Sequence, residues 1–94
     1  MAEDQPAFFI KDSRWREIKR ILRISPRESE IIRYIMTGED EALIASRLGI
    51  STHTVHTHLE RLYIKLKVNS RSQLIVRIFA EYVSLEASHD RDKV

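Results

Sequence analysis

The stretch from Ile44 to Leu66 constrains this chain most, because its small and apolar residues have the spacing of a helix-turn-helix. Ala45 offers a small residue where two helices cross, Gly49 can adopt the left-handed turn conformation, and Val55 fills the crossing. The second helix is then free to project its far side outward. Since the DNA major groove admits one α-helix, this pattern favours a DNA-binding function.

Length and composition limit the alternatives. The 94 residues are enough for one domain, and the absence of cysteine excludes a disulfide framework, a thiol nucleophile and a cysteine-ligated zinc finger. The acidic N-terminus has too short an apolar run for a signal peptide, and no segment reaches membrane-spanning length. We therefore expect a soluble, cytoplasmic protein without a membrane partner.

The charge is unevenly distributed, although the net charge is only +2. The window from Arg47 to Arg77 contains six Lys or Arg residues against one acid, Glu60. Such a basic window is typical of a phosphate-binding face, and a solvated helix surface is the alternative interpretation.

The N-terminal part predicts an arm over residues 1–11 and then an amphipathic helix to about Arg23, capped by Asp12 or Ser13. One side of this helix is apolar and the other is basic. It should dock on the core or on a partner, with a membrane surface as the less favoured alternative. The apolar side consists of Trp15, Ile18, Ile21 and Leu22.

Capping residues place the remaining helices, and no segment has strand periodicity, so the expected fold is all-α. Ser25 and Glu28 form a capping box, and Gly38 ends the helix that it opens, whose buried stripe is Ile31, Ile32, Ile35 and Met36. Asp40 should cap a helix over about 41–48, and Ser51 one over about 52–66. The sequence Ser70-Arg71-Ser72-Gln73 predicts a second capping box.

The last helix, expected over 71 to about 85, is more apolar than a surface helix needs. Leu74 and Ile78 should face the core, together with Val76 or Ala80. We interpret the remaining apolar residues as a homodimer contact, with packing against the N-terminal helix as the alternative. These residues are Ile75, Phe79 and Tyr82, with Val83 as a further candidate.

The helix over 52–66 presents three faces at 100° per residue. Its buried stripe is Val55, Leu59, Leu62 and Leu66. The opposite, base-facing side holds His53, His56, Thr57 and Glu60, together with Ile64. The flank suited to phosphate contacts holds Thr54, His58, Arg61 and Lys65.

Other chemistry is less favoured for these histidines. The spacing His53-x-x-His56 could chelate a metal, but His58 points elsewhere and only Glu60 supplies a nearby carboxylate. No nucleophile or pocket-forming segment accompanies them, so we expect no enzyme, no metal site and no cofactor. His58 lies beside the apolar stripe and is interpreted as a structural histidine.

The chain resembles the LuxR/GerE family of bacterial helix-turn-helix transcription regulators. The resemblance covers about 24–78 and rests on the following residues: Ile24-Ser25-Pro26-Arg27-Glu28, Gly38, Ile44-Ala45, Leu48-Gly49-Ile50-Ser51, Thr54-Val55, His58, Lys65-Leu66 and Ser70-Arg71. It implies a four-helix DNA-binding domain, which we place over 24–86. The arm and extra helix over 1–23 precede this domain, and we expect a frayed tail over 87–94.

The resemblance also implies roles for individual residues. It assigns backbone contacts to Thr54, Arg61, Lys65 and Arg71, and groove-facing positions to His53, His56, Thr57 and Glu60. Glu28, Ile32 and Gly38 match positions that look structural. The family usually carries Lys or Arg where this chain has His53 and His56, and often a basic or amide residue at Glu60, so affinity for DNA should be modest.

The length resembles GerE-like regulators that consist of the DNA-binding domain alone. It implies a sequence-specific regulator that dimerises through its last helix and whose activity follows abundance or a partner regulator or RNA polymerase. The main alternative is an interaction module of the same fold that sequesters a related regulator without binding DNA. The promoter-reading domain of a sigma factor has a similar helix order and is a third interpretation.

Overall fold

The computed structural model describes residues 8–92, and within that range the chain forms five helices and no strand. This confirms the expected all-α fold with an additional N-terminal helix. The helices are α1 (Asp12–Leu22), α2 (Pro26–Met36), α3 (Glu41–Leu48), α4 (Thr52–Leu66) and α5 (Arg71–Asp92).

The last helix is longer than the sequence indicated. Helix α5 continues through Asp92, so the prediction of a frayed tail from residue 87 is wrong for 87–92. The reason is a tertiary contact, because Arg14 Nε of α1 lies 2.7 Å from Glu86 Oε1 and holds the end of α5 against α1. Residues 93–94 and most of the predicted arm, 1–7, lie outside the described residues.

Side chains cap three helices as predicted. Glu28 N donates to Ser25 Oγ at 3.1 Å and Ser25 N donates to Glu28 Oε1 at 2.9 Å, which completes the capping box of α2. Asp40 accepts from the Leu43 amide at the start of α3. Ser51 accepts from the Thr54 amide at the start of α4.

Two capping predictions need correction. The residue before α1 is Lys11, which makes no side-chain cap, and Asp12 lies inside the first turn. At α5, Gln73 N donates to Ser70 Oγ, but Gln73 Oε1 accepts from the amide of Asn69 rather than from that of Ser70. The reciprocal contact therefore begins one residue earlier than in a capping box.

The core lies between α2, α3, α4 and α5, and α1 covers one side of it. The predicted stripe of α4 is buried, and so are Leu74 and Ile78 of α5. The prediction that Val76 or Ala80 faces the core is wrong, because Val76 is 65 % exposed and Ala80 is exposed as well. Ile21, on the apolar side of α1, is 42 % exposed. Met36 is only partly buried at the edge of the core.

Helix α1 docks on the core, which was one of the two expectations for it. Ile10, Trp15 and Ile18 are buried, and Trp15 Nε1 donates to Ser29 Oγ at 3.0 Å. The Phe8 ring packs edge-on against Trp15 at 5.1 Å between centroids. Because Ile10 is 2 % exposed, the end of the predicted arm belongs to the core.

Four helices end with a residue of positive φ or lead into one. Gly38 and Gly49 were expected from the sequence, whereas Arg23 (φ 57°) and Lys67 (φ 59°) adopt the left-handed conformation without being glycine. Ile24 N donates to Lys19 O at 2.9 Å, which closes the end of α1 in the manner of a Schellman motif. Among the described residues, no helix is long and apolar enough to cross a membrane.

Candidate nucleic-acid interface

Helices α3 and α4 cross as the sequence predicted. Ala45 is 4 % exposed and Val55 is fully buried, and Gly49 takes φ +68° between the two helices. The amide of Ile50 donates to Ala45 O at 3.0 Å and completes the turn. This close crossing fixes the direction in which α4 presents its outer side.

The outer edge of α4 is open to solvent. The side chain of His56 is 53 % exposed and that of Glu60 is 63 % exposed, and His53 is exposed one turn earlier. Thr57 is half-buried, and its hydroxyl donates to His53 O at 3.0 Å. All four predicted base-facing residues therefore lie on one edge that the rest of the described chain leaves accessible.

His56 lies between two carboxylates. Its Nδ1 is 3.5 Å from Glu41 Oε1 of α3, and its Nε2 is 3.6 Å from Glu60 Oε2. Sequence spacing showed the relation between His56 and Glu60, which are one turn apart on the same helix. The approach of Glu41 depends on the helix crossing, so only the structure reveals it.

The flank assigned to phosphate contacts divides into two groups. In the first group, Arg61 is exposed, and no ion pair joins it to another described residue. Thr54 belongs to the same group and is half-buried, with its hydroxyl 2.8 Å from Ser51 Oγ. Lys65 instead donates to Glu28 Oε1 at 2.7 Å, and Arg71 donates to the carbonyl oxygen of Glu39. Lys65 and Arg71 therefore have structural contacts within the chain.

The contact with Lys65 also sets the ionisation of Glu28. Burial by itself raises the pKa of this carboxyl, but hydrogen bonds from Lys65 and from the Ser25 amide and the positive charge of Lys65 outweigh burial, so the pKa is lowered. The charged form is therefore favoured, as the structural assignment of Glu28 requires.

A basic groove of about 790 Å³ continues this flank where α1 and α4 end. Four cations line it together with apolar residues such as Leu66. Sequence reasoning missed this arrangement because the cations come from three separate segments. The cations are Arg23, Lys65, Lys67 and Arg77.

The apolar residues of α5 are shared between two surfaces. Ile75 and Tyr82 are half-buried against the core, whereas Phe79 remains 49 % exposed. The ring of Phe9 lies 6.1 Å from Tyr82 and 6.5 Å from Phe79 between centroids. The N-terminal segment thus packs on part of the predicted dimer contact.

A row of apolar residues on α5 lies beside that contact and points outward. Val76 and Val83 are 65 % and 47 % exposed, and with Phe79 they recur at the spacing of one helix face. Ala80 and Ala87 are exposed on the same side. This outward row extends the predicted dimer contact beyond the part covered by Phe9.

The remaining observations around the α4 histidines concern His58 and the possibility of a metal site. His58 is half-buried, as expected for a histidine beside the apolar stripe. Within residues 8–92, no three His, Asp or Glu side chains come together in a way that could hold a metal ion.

Comparison with known proteins identifies the helix-turn-helix segment. Residues 22–78 match the model of the GerE family, described as bacterial regulatory proteins of the luxR family. This match extends from the end of α1 into α5 and includes the whole outer edge of α4. It confirms the resemblance and the helix-turn-helix interpretation. No solved structure matches the chain significantly.

Individual relatives have names that agree with the family. The "Putative HTH-type transcriptional regulator YhjB" of Escherichia coli K12 is 41% identical over 58 residues, which are 62% of this chain and 29% of that protein. The monoamine regulon transcriptional regulator of Klebsiella aerogenes is 37% identical over 54 residues, 57% of this chain and 24% of the relative.

The nitrate/nitrite response regulator protein NarL of Escherichia coli K12 is 33% identical over 61 residues, which are 65% of this chain and 28% of NarL. The chain thus spans less than a third of the length of these relatives. Because the family model covers more than half of the chain, the chain belongs to the luxR (GerE) family of bacterial regulatory proteins, the helix-turn-helix transcription regulators.

Proposed function

We propose that this protein is a sequence-specific regulator of transcription that binds double-stranded DNA with α4 in the major groove. The observation that carries the proposal is the exposed edge of α4, where His53, His56 and Glu60 are open to solvent. A buried stripe on the opposite side fixes that edge relative to the rest of the fold. Imidazole, hydroxyl and carboxylate groups can form hydrogen bonds with base edges.

The basic flank of α4 would contact the phosphates of the DNA strands beside the major groove. Arg61 is the strongest candidate for a phosphate contact, because it is exposed and long enough to reach beside an inserted helix. Thr54 lies on the same flank, while Lys65 and Arg71 would contact phosphate in addition to their contacts within the chain. Lys67 and Arg23 extend the positive surface at the far end of α4.

The protein would act as a homodimer formed through α5. Val76, Phe79 and Val83 give this helix an exposed apolar row, with Ile75 and Tyr82 at its margin. An isologous contact along one helix would relate the two copies of α4 by a two-fold axis, which suits a palindromic site. Because members of the family regulate transcription, membership supports a cytoplasmic location and a regulatory rather than an enzymatic function.

An alternative function is sequestration of a related regulator without DNA binding. The two carboxylates beside His56 favour it, because Glu41 and Glu60 reduce the positive potential where DNA would approach. The same α5 row that would form a homodimer could then form a mixed dimer.

Fluorescence titration of the full chain against genomic DNA fragments at two salt concentrations tests the main proposal. We expect binding that weakens as salt rises and that differs between fragments. Binding that depends on neither salt nor fragment would contradict it. Mixed dimers with a related regulator that retain no DNA would instead support sequestration.

A further inference from the structure

Glu60 is an unusual group to place on an edge that would face DNA, since both partners are negatively charged. At 100° and 1.5 Å per residue it lies about 20° from His53 around the helix and about 10 Å further along it, so Glu60 faces the groove together with His53 when α4 lies along the groove. Its side chain is 63 % exposed, and its carboxylate is therefore free to meet a base edge.

We propose that Glu60 selects a cytosine in each half-site, and that His56 and Glu41 position its carboxylate. The inference rests on the proposed function, since it assumes that α4 enters the major groove. It names the base that this edge would read.

The chemistry of the groove leaves few partners for a carboxylate. An ionised carboxylate only accepts hydrogen bonds, whereas guanine presents two acceptors, and thymine presents an acceptor and a methyl group. Adenine offers an N6 donor, but its N7 acceptor lies beside that donor and repels a second oxygen. Cytosine presents the N4 donor with no adjacent acceptor on its own edge, so cytosine is the base that matches Glu60 best.

The surroundings of Glu60 restrict where its carboxylate points. His56 Nε2 lies 3.6 Å from Glu60 Oε2, and the other ring nitrogen lies 3.5 Å from Glu41 Oε1. Because Glu41 belongs to α3, it anchors the imidazole to a second helix rather than only to the helix that carries Glu60. His56 is therefore a positioning residue, and a carboxylate held in one direction loses less conformational freedom on binding.

Selection of bound sequences from random duplex DNA, with the full chain and its Glu60→Gln variant, tests the base assignment. The wild type should enrich cytosine at one position of each half-site by at least about fivefold. Glu60→Gln should shift that position toward adenine, because an amide can both donate to N7 and accept from N6. Glu30→Gln is the matched control, since it removes a carboxylate paired with Arg27 on α2 and should leave base preference unchanged.

The positioning role is tested with His56→Gln and His56→Leu. The amide of His56→Gln can donate to Glu60 and should retain most of the cytosine preference, while His56→Leu should lose it severalfold at an unchanged melting temperature. Equal preference in both variants and the wild type would overturn the positioning role.

Two further outcomes distinguish failure of the base assignment from failure of the proposed function. Specific binding with the same preferred base in the wild type and Glu60→Gln would overturn the assignment to Glu60 alone. Absence of salt-sensitive duplex binding by the wild type would overturn the proposed function, and this inference with it.

Discussion

Lys65 Nζ lies 2.7 Å from Glu28 Oε1, and the same ammonium group donates to Arg23 O at 2.8 Å. This contact joins the end of α4 to the start of α2. Glu28 Oε1 also accepts from the Ser25 amide, so one carboxylate oxygen completes a helix cap and an ion pair between helices. The orientation of α4 thus depends on Glu28 at its far end as well as on the crossing with α3.

Glu28→Gln should lower the free energy of unfolding by about 1–3 kcal/mol, because it weakens two hydrogen bonds at a buried carboxylate. Chemical denaturation at pH 7 measures the change. Glu30→Gln is the control, since its pair with Arg27 is exposed and should contribute little. Equal effects of the two substitutions would contradict the structural role of Glu28.

The stability difference between wild type and Glu28→Gln should depend on pH. The pKa of Glu28 is lowered in the folded state from the ordinary value of 4.5, so the charged carboxylate contributes stability above that value. The contribution is lost as pH falls through the lowered pKa of the folded state. Denaturation between pH 7 and pH 3 should therefore show the difference narrowing below about pH 4.5. A constant difference would contradict this assignment.

Arg61 and Lys65 should respond differently to removal of charge, although they are neighbours on one flank. Arg61→Gln should reduce the slope of log affinity against log salt by about one unit without changing the melting temperature. Lys65→Met should lower the melting temperature, because it leaves Glu28 buried without its cation. Salt-dependent DNA titration and thermal unfolding measure the two effects, and an unchanged slope in Arg61→Gln would remove Arg61 from the interface.

Lys67→Gly should stabilise the fold by about 0.5–1 kcal/mol. The left-handed conformation at φ 59° costs a side-chain-bearing residue about 1–2 kcal/mol, of which the greater flexibility of unfolded glycine cancels part. Gly49→Ala should have the opposite sign, because a side chain at φ +68° strains the backbone. The added Cβ would meet no atom within 4 Å, so the loss of stability comes from the backbone alone. Thermal unfolding of both variants checks the prediction, and a loss of stability in Lys67→Gly would contradict it.

Val83→Glu should weaken self-association at least tenfold by placing two carboxylates near each other across a two-fold axis. Sedimentation equilibrium measures the dimer dissociation constant. Ser88→Glu is the matched control, because Ser88 is exposed on the same helix and lies about 80° or more around that helix from every member of the apolar row. If both variants associate as tightly as the wild type, the row on α5 is not the dimer contact.

The sequence predicted those parts of the structure that depend on neighbours along the chain. The crossing of Ala45 with Val55 and the left-handed Gly49 follow from residue size and backbone freedom, and caps such as Ser51 follow from short side-chain contacts. The exposed edge of α4 follows from its helical period.

Contacts between distant segments could not be predicted in this way. Glu41 meets His56 only because α3 crosses α4, and Glu86 meets Arg14 only because α5 folds back on α1. The left-handed end of α4 at Lys67 also has no signal in the sequence, since glycine is absent there. The internal contacts of Lys65 likewise became visible only in three dimensions.

The packing of α1 against the end of α5 limits how far the chain can be shortened for expression. A fragment restricted to 24–78 would lose both Arg14 and Glu86. The loss of Trp15 and Ile18 would also leave a cavity beside α2 and expose apolar surface of the core to solvent. Such a fragment would be prone to precipitate. A fragment for expression should therefore keep the chain from Phe8, whose ring packs on Trp15, to at least Glu86.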